Sequence, residues 1–191
     1  MKYAYALLGL VFIGIGIAVS YLQPHAAVAP PHSIMSTSTT LSLTSPAFEN
    51  KGSIPSKYTC DENRFLSPPL AITGVPAGTK SLALIMDDPD VPKNLIPSGV
   101  FVHWVLYNIP PETREIPEGE SVGTAGGNGR DELSYTGPCP PDREHRYFFT
   151  LYALSRTLNF GTAPTKDELE QAMQGMIIEQ TQVMGTYERK H

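Results

Sequence analysis

From Leu41 onward the sequence consists of short apolar runs separated by turn residues, and this pattern limits the fold more than any other feature. The clearest runs are SLALIM at 81–86, VFVHWVLYNI at 100–109 and RYFFTLYAL at 146–154. The two longer runs are rich in aromatic and β-branched residues, as strands are. The 18 prolines and 16 glycines among 191 residues also favour strands joined by structured loops over a helical bundle. We therefore predict one mainly β domain.

A single helix is predicted near the C-terminus, where Thr165 precedes the segment KDELEQAM. Glu168 follows Thr165 by three residues, and this spacing fits a capping box. Apolar residues then recur at helical spacing and form one face of the helix. These residues are Leu169, Ala172, Met173, Met176 and Ile177. After the helix, the segment TQVMGTYERK at 181–190 is predicted to form a final strand.

The first 40 residues differ from the rest of the chain in charge. Lys2 is the only Lys, Arg, Asp or Glu before Glu49, and the apolar run at 3–22 is about as long as a membrane span requires. A cleaved signal peptide is the alternative, because the small residues at 27–29 resemble a cleavage site. Pro30 would follow the cut, however, and a proline at that position usually blocks cleavage.

These features divide the chain into a transmembrane anchor or signal segment at 1–22, a flexible tether at 23–40 and a folded domain at 41–191. Because Lys2 precedes the apolar run, the positive-inside tendency keeps the N-terminus in the cytoplasm. We therefore predict a protein of the cell envelope, anchored in the inner membrane, whose domain faces the periplasm or the exterior. Secretion or release into the periplasm after cleavage is the alternative.

The charge and the two cysteines narrow the set of partners and bonds. The formal net charge is −5 and the domain has no basic cluster, so a nucleic-acid partner is not expected. An exported domain could join Cys60 and Cys139 in a disulfide if their Cα atoms lie within bridging distance. Two separate small core residues are the alternative, and the sequence leaves both open.

An acidic motif, Asp87-Asp88-Pro89-Asp90, directly follows the apolar run at 81–86. Pro89 has a fixed φ and keeps the residue before it out of helical geometry. Asp88 and Asp90 are therefore displayed rigidly at the end of a strand. Aspartates in loops are also common turn formers, so a purely structural role is the alternative.

Two histidines lie in predicted strands among aromatic residues. Strand alternation places His103 on one face with Phe101 and Tyr107, and His145 on one face with Tyr147. If the strands are neighbours, the two imidazoles and the Tyr147 hydroxyl form a donor set for phosphate or carboxylate oxygens. An aspartate then accepts a hydrogen bond from one imidazole nitrogen, and the other nitrogen faces the ligand. The alternative is that each histidine is an ordinary core residue.

Several of these motifs, in their order along the chain, resemble the phosphatidylethanolamine-binding protein family, and most closely its bacterial, Raf-kinase-inhibitor-like branch. They are DPDVP at 88–92, HW at 103–104, GP at 137–138 and HRY at 145–147. The segments SPAFENKGSIPSKYTCD, SPPLAITGVP and VMGTYER agree in the same order. The similarity therefore covers about residues 41–189.

The resemblance implies a single domain of antiparallel sheets with one C-terminal helix and a short final strand. It also implies a small surface cavity that binds phosphate-type anions or phosphorylated phospholipid head groups. The residues that would line or support the cavity are Asp88, Asp90, His103, Gly137, Pro138, His145 and Tyr147, with Tyr58 and Asp61 as neighbours. Glu62 stands where the branch usually has glycine, so a reshaped pocket rim is expected.

We therefore predict a non-enzymatic binding protein without a cofactor, a bound metal ion or a catalytic residue. The sequence has no H-E-x-x-H motif and no glycine-rich phosphate loop with a lysine. Because imidazolium is among the predicted donors, anion affinity is expected to fall as the pH rises. The expected partners are a small anion and, through the N-terminal segment, a membrane, with a homodimer left open.

Two other functions are weighed against this one. The first is an inhibitor of an envelope protease or a kinase that acts on a protein partner, as some relatives are named for. An exported domain has little access to cytoplasmic kinases, which argues against kinase control. The second is a metal-dependent hydrolase with ligands from Asp88, Asp90, His103 and His145.

Overall fold

The computed structural model describes residues 40–189 of the chain. This part contains eight strands, one α-helix and one short 3₁₀ turn. The strands are β1 (Ser42–Thr44), β2 (Leu70–Thr73), β3 (Ser81–Asp88), β4 (Phe101–Ile109), β5 (Glu115–Ile116), β6 (Thr124–Ala125), β7 (His145–Leu154) and β8 (Ile177–Tyr187). The 3₁₀ turn is Ser56–Tyr58, and helix α1 is Lys166–Met173.

The strands form two antiparallel sheets. One has three strands in the order β1-β2-β5, and the other has five strands in the order β6-β4-β3-β7-β8. The predicted fold, with antiparallel sheets, one C-terminal helix and a final strand, is therefore confirmed, although the final strand, which was predicted to be short, has 11 residues. The three long apolar runs of the sequence become β3, β4 and β7, which are the central strands of the larger sheet.

Strand β3 lies in the middle of the larger sheet and is covered on both faces. Leu82, Leu84 and Met86 belong to a core that also contains residues of the three-stranded sheet. The alternate residues Ala83 and Ile85 belong to a second core, which includes two residues of α1. Because the side chains of a strand alternate between faces, a strand buried on both sides requires an uninterrupted apolar run. This requirement explains the segment SLALIM.

Helix α1 begins where the capping box predicts. The Thr165 hydroxyl accepts a hydrogen bond from the Glu168 N–H, and the Glu168 carboxylate accepts one from the Thr165 N–H. The predicted continuation of the apolar face to Ile177 is wrong, because the helix ends at Met173 and Gly175 turns the chain with a φ of 72°. Ile177 instead opens β8, which begins at residue 177 and not at the predicted residue 181.

The register of the larger sheet brings several predicted site residues to one end of its central strands. Strands β4 and β7 lie on opposite sides of β3, so that Asp88 is opposite Phe101 and Asp87 is opposite Phe148. His103 and His145 therefore lie on strands that flank β3 and do not pair with each other. The C-terminal end of β3 and the N-terminal ends of β4 and β7 therefore meet at the same end of the sheet.

The predicted location in the cell envelope, with an inner-membrane anchor, is contradicted. Between residues 40 and 189 no helix is long and apolar enough to cross a membrane. Helix α1 has eight residues, whereas a span needs about 20. The predicted anchor at 1–22 and nearly all of the predicted tether at 23–40 lie outside the described residues. The domain boundary at residue 41 stays a prediction.

Candidate functional site

A surface cavity of about 240 Å³ opens at the end of the larger sheet where β3 ends and β4 begins. Of the residues predicted for the site, Asp88, His103 and Gly137 line it. The other predicted residues lie behind the lining or beside it. The cavity therefore combines part of the predicted set with residues from three loops.

A hydrogen-bonded chain of two carboxylates and one imidazole supports the cavity from behind, and it runs from the buried Asp88 through His145 to the partly exposed Asp142. His145 is fully buried, and its Nδ1 lies 2.7 Å from Asp88 Oδ2 while its Nε2 lies 2.9 Å from Asp142 Oδ1. A neutral imidazole has a single N–H, so both contacts are donated only by the imidazolium form. Burial raises the pKa of Asp88, whereas the hydrogen bond from His145 lowers the pKa of Asp142. The second nitrogen of His145 thus contacts Asp142, although the sequence predicts that it faces the ligand.

His103 is held in one tautomer by the backbone. Its Nδ1 lies 2.6 Å from the carbonyl oxygen of Thr136, and a carbonyl only accepts, so Nδ1 carries the hydrogen. Nε2 is buried and has no hydrogen-bond partner among the described residues. Desolvation lowers the pKa of His103 to about 4. Near neutral pH, His103 is therefore an acceptor at Nε2, and the predicted imidazolium donor is wrong for this residue.

Tyr147, on β7, lies beside His103, on β4, and strand β3 runs between these two strands. The two rings meet edge to face with their centroids 5.2 Å apart, and Tyr147 is fully buried. Its hydroxyl also lacks a hydrogen-bond partner among the described residues. Burial raises the pKa of this hydroxyl above its ordinary value, so it stays protonated and is a donor.

Asp90 is turned away from the cavity and toward Arg146. The guanidinium donates from Nε to Asp90 Oδ2 at 2.8 Å and from a terminal nitrogen to Oδ1 at 2.7 Å. This pairing lowers the pKa of Asp90 to about 2. The Asp90 N–H in turn donates to Asp88 Oδ1 at 2.8 Å. Asp90 thus fixes the loop that presents Asp88.

Tyr58 and Asp61 form contacts of their own near the site. The Tyr58 hydroxyl donates to Glu118 Oε2 at 2.6 Å. Asp61 accepts hydrogen bonds from the Tyr187 hydroxyl at 2.6 Å and from Arg189 Nε at 3.0 Å. Neither residue lines the cavity. Both hold the segment around the 3₁₀ turn in place.

The segment at 137–139 approaches the backbone near Tyr58 closely. A Cβ added to Gly137 would lie 2.5 Å from the carbonyl oxygen of Tyr58, so a side chain does not fit there. The carbonyl of Pro138 accepts a hydrogen bond from the Cys60 N–H at 3.0 Å. Cys60 and Cys139 are joined in a disulfide, with their Cα atoms 5.4 Å apart. Cys139 lines the cavity, so this bridge fixes one of its walls.

The cavity is also lined by two arginines, Arg64 and Arg130, that the sequence does not predict for the site. A terminal nitrogen of Arg64 lies 3.5 Å from the Thr136 hydroxyl, and its buried Nε has no partner in the described chain. Within residues 40–189 neither arginine forms a salt bridge. Both lie in loops, where no periodic pattern marks a residue as facing a site. The nearest signal in the sequence is the predicted change of the pocket rim after Glu62, because that segment contains Arg64.

The rest of the lining is largely apolar. Val91, Leu95 and Ile96 come from the loop between β3 and β4, and Phe101 opens β4. Leu95 is 58% exposed and lies where solvent reaches the cavity. The lining therefore combines two guanidinium groups and the Asp88 carboxylate with a set of apolar side chains.

Two observations concern a metal-dependent hydrolase and an esterase as alternative functions. In the described part of the chain no group of three or more His, Cys, Asp or Glu residues is placed to hold a metal ion. Residues 119–123, GESVG, have the G-x-S-x-G spacing of esterases. They form an exposed turn between β5 and β6, whereas that motif requires a turn from a strand into a helix.

Comparison with known proteins identifies the family. The sequence profile of the family described as phosphatidylethanolamine-binding protein matches residues 44–188. A UPF0098 protein of Chlamydia pneumoniae is 45% identical over 150 residues, which is 78% of this chain and 99% of the relative. A UPF0098 protein of Methanothermobacter thermautotrophicus is 42% identical over 159 residues, with the same two shares.

Solved structures agree with the profile. A putative phosphatidylethanolamine-binding protein homologue from Chlamydia trachomatis superposes with a TM-score of 0.76 at 42% identity, over 80% of this chain and 100% of that one. YbcL of Escherichia coli, described as a member of the mammalian family, superposes with a TM-score of 0.70 at 25% identity, over 78% and 99%. The chain therefore belongs to the phosphatidylethanolamine-binding protein family, and the resemblance seen in its motifs is confirmed.

Proposed function

We propose that the protein binds a small phosphate-type anion in this cavity and leaves it chemically unchanged. The observation that carries the proposal is the pair Arg64 and Arg130, which line the cavity without an acidic partner among the described residues. Guanidinium groups match the geometry of phosphate oxygens and form strong, charge-assisted hydrogen bonds with them. Backbone hydrogen bonds and the disulfide hold the wall at 137–139 in place, so this part of the site is preformed.

The lining also supports binding without catalysis. It contains no serine, no lysine and no free thiol, since Cys139 is part of the disulfide. The Thr136 hydroxyl lines the cavity, and its described contact is with an Arg64 nitrogen, which is not a general base. The Asp88 carboxylate is engaged by His145 and by the Asp90 N–H. A nucleophile poised beside a general base is the usual mark of covalent catalysis, and the described lining does not present one. The phosphorylated head group of a phospholipid and a soluble phosphate ester are both sources of the proposed anion.

Inorganic phosphate tests the proposal, with its affinity measured by isothermal titration calorimetry. We expect Arg64→Gln and Arg130→Gln each to weaken phosphate binding roughly tenfold, because each removes one charge-assisted contact in a partly open cavity. Arg156→Gln is the matched control, since it makes the same change in an exposed arginine beyond the far end of β7. Equal affinities in all three variants, or no phosphate binding by the unaltered protein, would overturn the proposed function.

A further inference from the structure

We infer that the outer side of β8 pairs with the same side of a second copy of this chain, so that the two larger sheets join into one. The surface concerned is the free edge, which we define as residues 177–183 of β8. Strand β8 is the last strand of the larger sheet, so one of its two sides faces away from β7. The free edge is separate from the cavity, and the inference does not depend on the proposed function.

The first step concerns the backbone groups of β8 that point outward. The carbonyl oxygens of Met184 and Thr186 accept hydrogen bonds from N–H groups of the segment at 51–54, at 2.7 and 2.8 Å, so they point away from β7. In an antiparallel sheet the backbone groups of successive residues alternate between the two sides of a strand. Those of Gln180 and Gln182 therefore also point outward. They have no backbone partner in the described part of the chain.

The second step concerns the register of the pairing. The segment at 50–54 covers the outer side of β8 from Met184 onward, and the free edge is the stretch between the start of β8 and this cover. The midpoint of the free edge is Gln180. Antiparallel pairing about a twofold axis at Gln180 therefore uses the whole free edge of both copies. It also brings Ile177 of one copy next to Val183 of the second copy.

The apolar side chains of the free edge gain contacts in this register. Ile177 and Ile178 are 41% and 42% exposed, which is unusual for isoleucine in a strand. A groove of about 430 Å³, lined by residues 44–50 and Val183, opens beside the free edge. The register brings Ile177 of the second copy to this groove, where burial of its side chain is favourable.

The sequence of the free edge permits such pairing. Edge strands are commonly protected by lysine, proline or bulges, but the segment IIEQTQV at 177–183 has no lysine or proline. The register shift between β7 and β8 lies at the start of β8 and leaves the rest of the free edge regular. The charged residue of the free edge is Glu179, whose carboxylate accepts a hydrogen bond from the Leu41 N–H at 3.0 Å. In the proposed register Glu179 lies opposite Thr181 of the second copy, so the two carboxylates do not face each other.

The pairing leaves the cavity of each copy open. Residues 179–183 of β8 lie opposite residues 149–153 of β7. The cavity lies at the other end of the sheet, where β7 begins at His145. Variants at Gln180 should therefore bind phosphate with the affinity of the unaltered protein, and failure of the pairing is measured separately from failure of the proposed function.

Charge variants at Gln180 test the pairing in the full chain by sedimentation equilibrium. For the unaltered protein we expect a monomer–dimer equilibrium with a Kd of roughly 1–100 µM, because the paired segment is short. Gln180→Lys and Gln180→Glu should each raise this Kd about fivefold, since like charges then lie directly opposite each other. An equimolar mixture of the two variants should restore the dimer, because lysine then faces glutamate. Gln171→Lys, on the exposed side of α1, is the matched control and should leave the Kd unchanged.

Amide hydrogen exchange identifies what covers the free edge. In the dimer the amides of Gln180 and Gln182 should be protected, and the protection should disappear on dilution. Protection of these amides in a monomer would assign the edge to another part of the same chain and overturn pairing with a second copy. A protein that stays monomeric at about 1 mM would also overturn it. So would a dimer that both charge variants leave unchanged, or one that the mixture does not restore.

Discussion

Replacing both Cys60 and Cys139 by alanine is expected to lower the free energy of unfolding by up to about 4 kcal/mol. The bridge joins residues that are 79 positions apart, and a loop of that length gains much conformational entropy when the unfolded chain is released. The folded protein changes less, because the Cys60 N–H still donates to the Pro138 carbonyl.

Urea denaturation of the oxidised protein, of the same protein in a dithiol reductant, and of the double variant measures the effect. The reduced protein is the control, because it lacks the bridge but keeps both sulfur atoms. We expect it and the double variant to unfold at similar, lower urea concentrations. Identical midpoints with and without the bridge would show that the two loops are held by their other contacts.

Replacing His145 by phenylalanine is expected to cost about 3 kcal/mol of stability near neutral pH. The ring is roughly conserved in shape, but the buried Asp88 carboxylate loses its partner, and breaking one side of a buried pair is strongly destabilising. We expect about 3 kcal/mol and not a larger loss of stability, because Asp88 borders the cavity, where water reaches part of it. Asp142→Asn is the matched control at the other ring nitrogen.

The control is expected to cost much less than His145→Phe, because the Asp142 side chain is 45% exposed and solvent screens its contact with the ring. The two effects also differ in their pH dependence. Without His145 the pKa of Asp88 rises further, so the carboxyl is neutral and better tolerated at low pH. The deficit of His145→Phe should therefore be small near pH 4 and grow toward pH 7. Equal costs for both variants in urea denaturation would contradict the buried-pair account.

The strands were predictable from the sequence because burial on alternating faces leaves a pattern in the chain. The segment SLALIM has no polar interruption, since β3 is covered on both faces. The capping box likewise predicts the start of α1 from local contacts alone. The end of α1 was not predictable in this way, because Met176 and Ile177 continue the helical spacing after Gly175 has turned the chain.

The site was only partly predictable, because its chemistry depends on contacts between distant segments. Asp88 was predicted from its place at the end of an apolar run, and His103 from strand alternation among aromatic residues. The tautomer of His103 is set by the carbonyl of Thr136, which is 33 residues away and carries no side-chain signal. Arg64 and Arg130 lie in loops without periodicity, so nothing local showed that both would line one cavity.

The most direct test of the central claim is to map phosphate binding by amide chemical shifts in a two-dimensional proton–nitrogen spectrum. If the anion occupies the cavity, the amides of Arg64, Arg130 and Gly137 should shift progressively with added phosphate. The amide of Lys166, at the start of α1, should remain where it is. Shifts centred on Lys166, with the three cavity amides unmoved, would contradict the account.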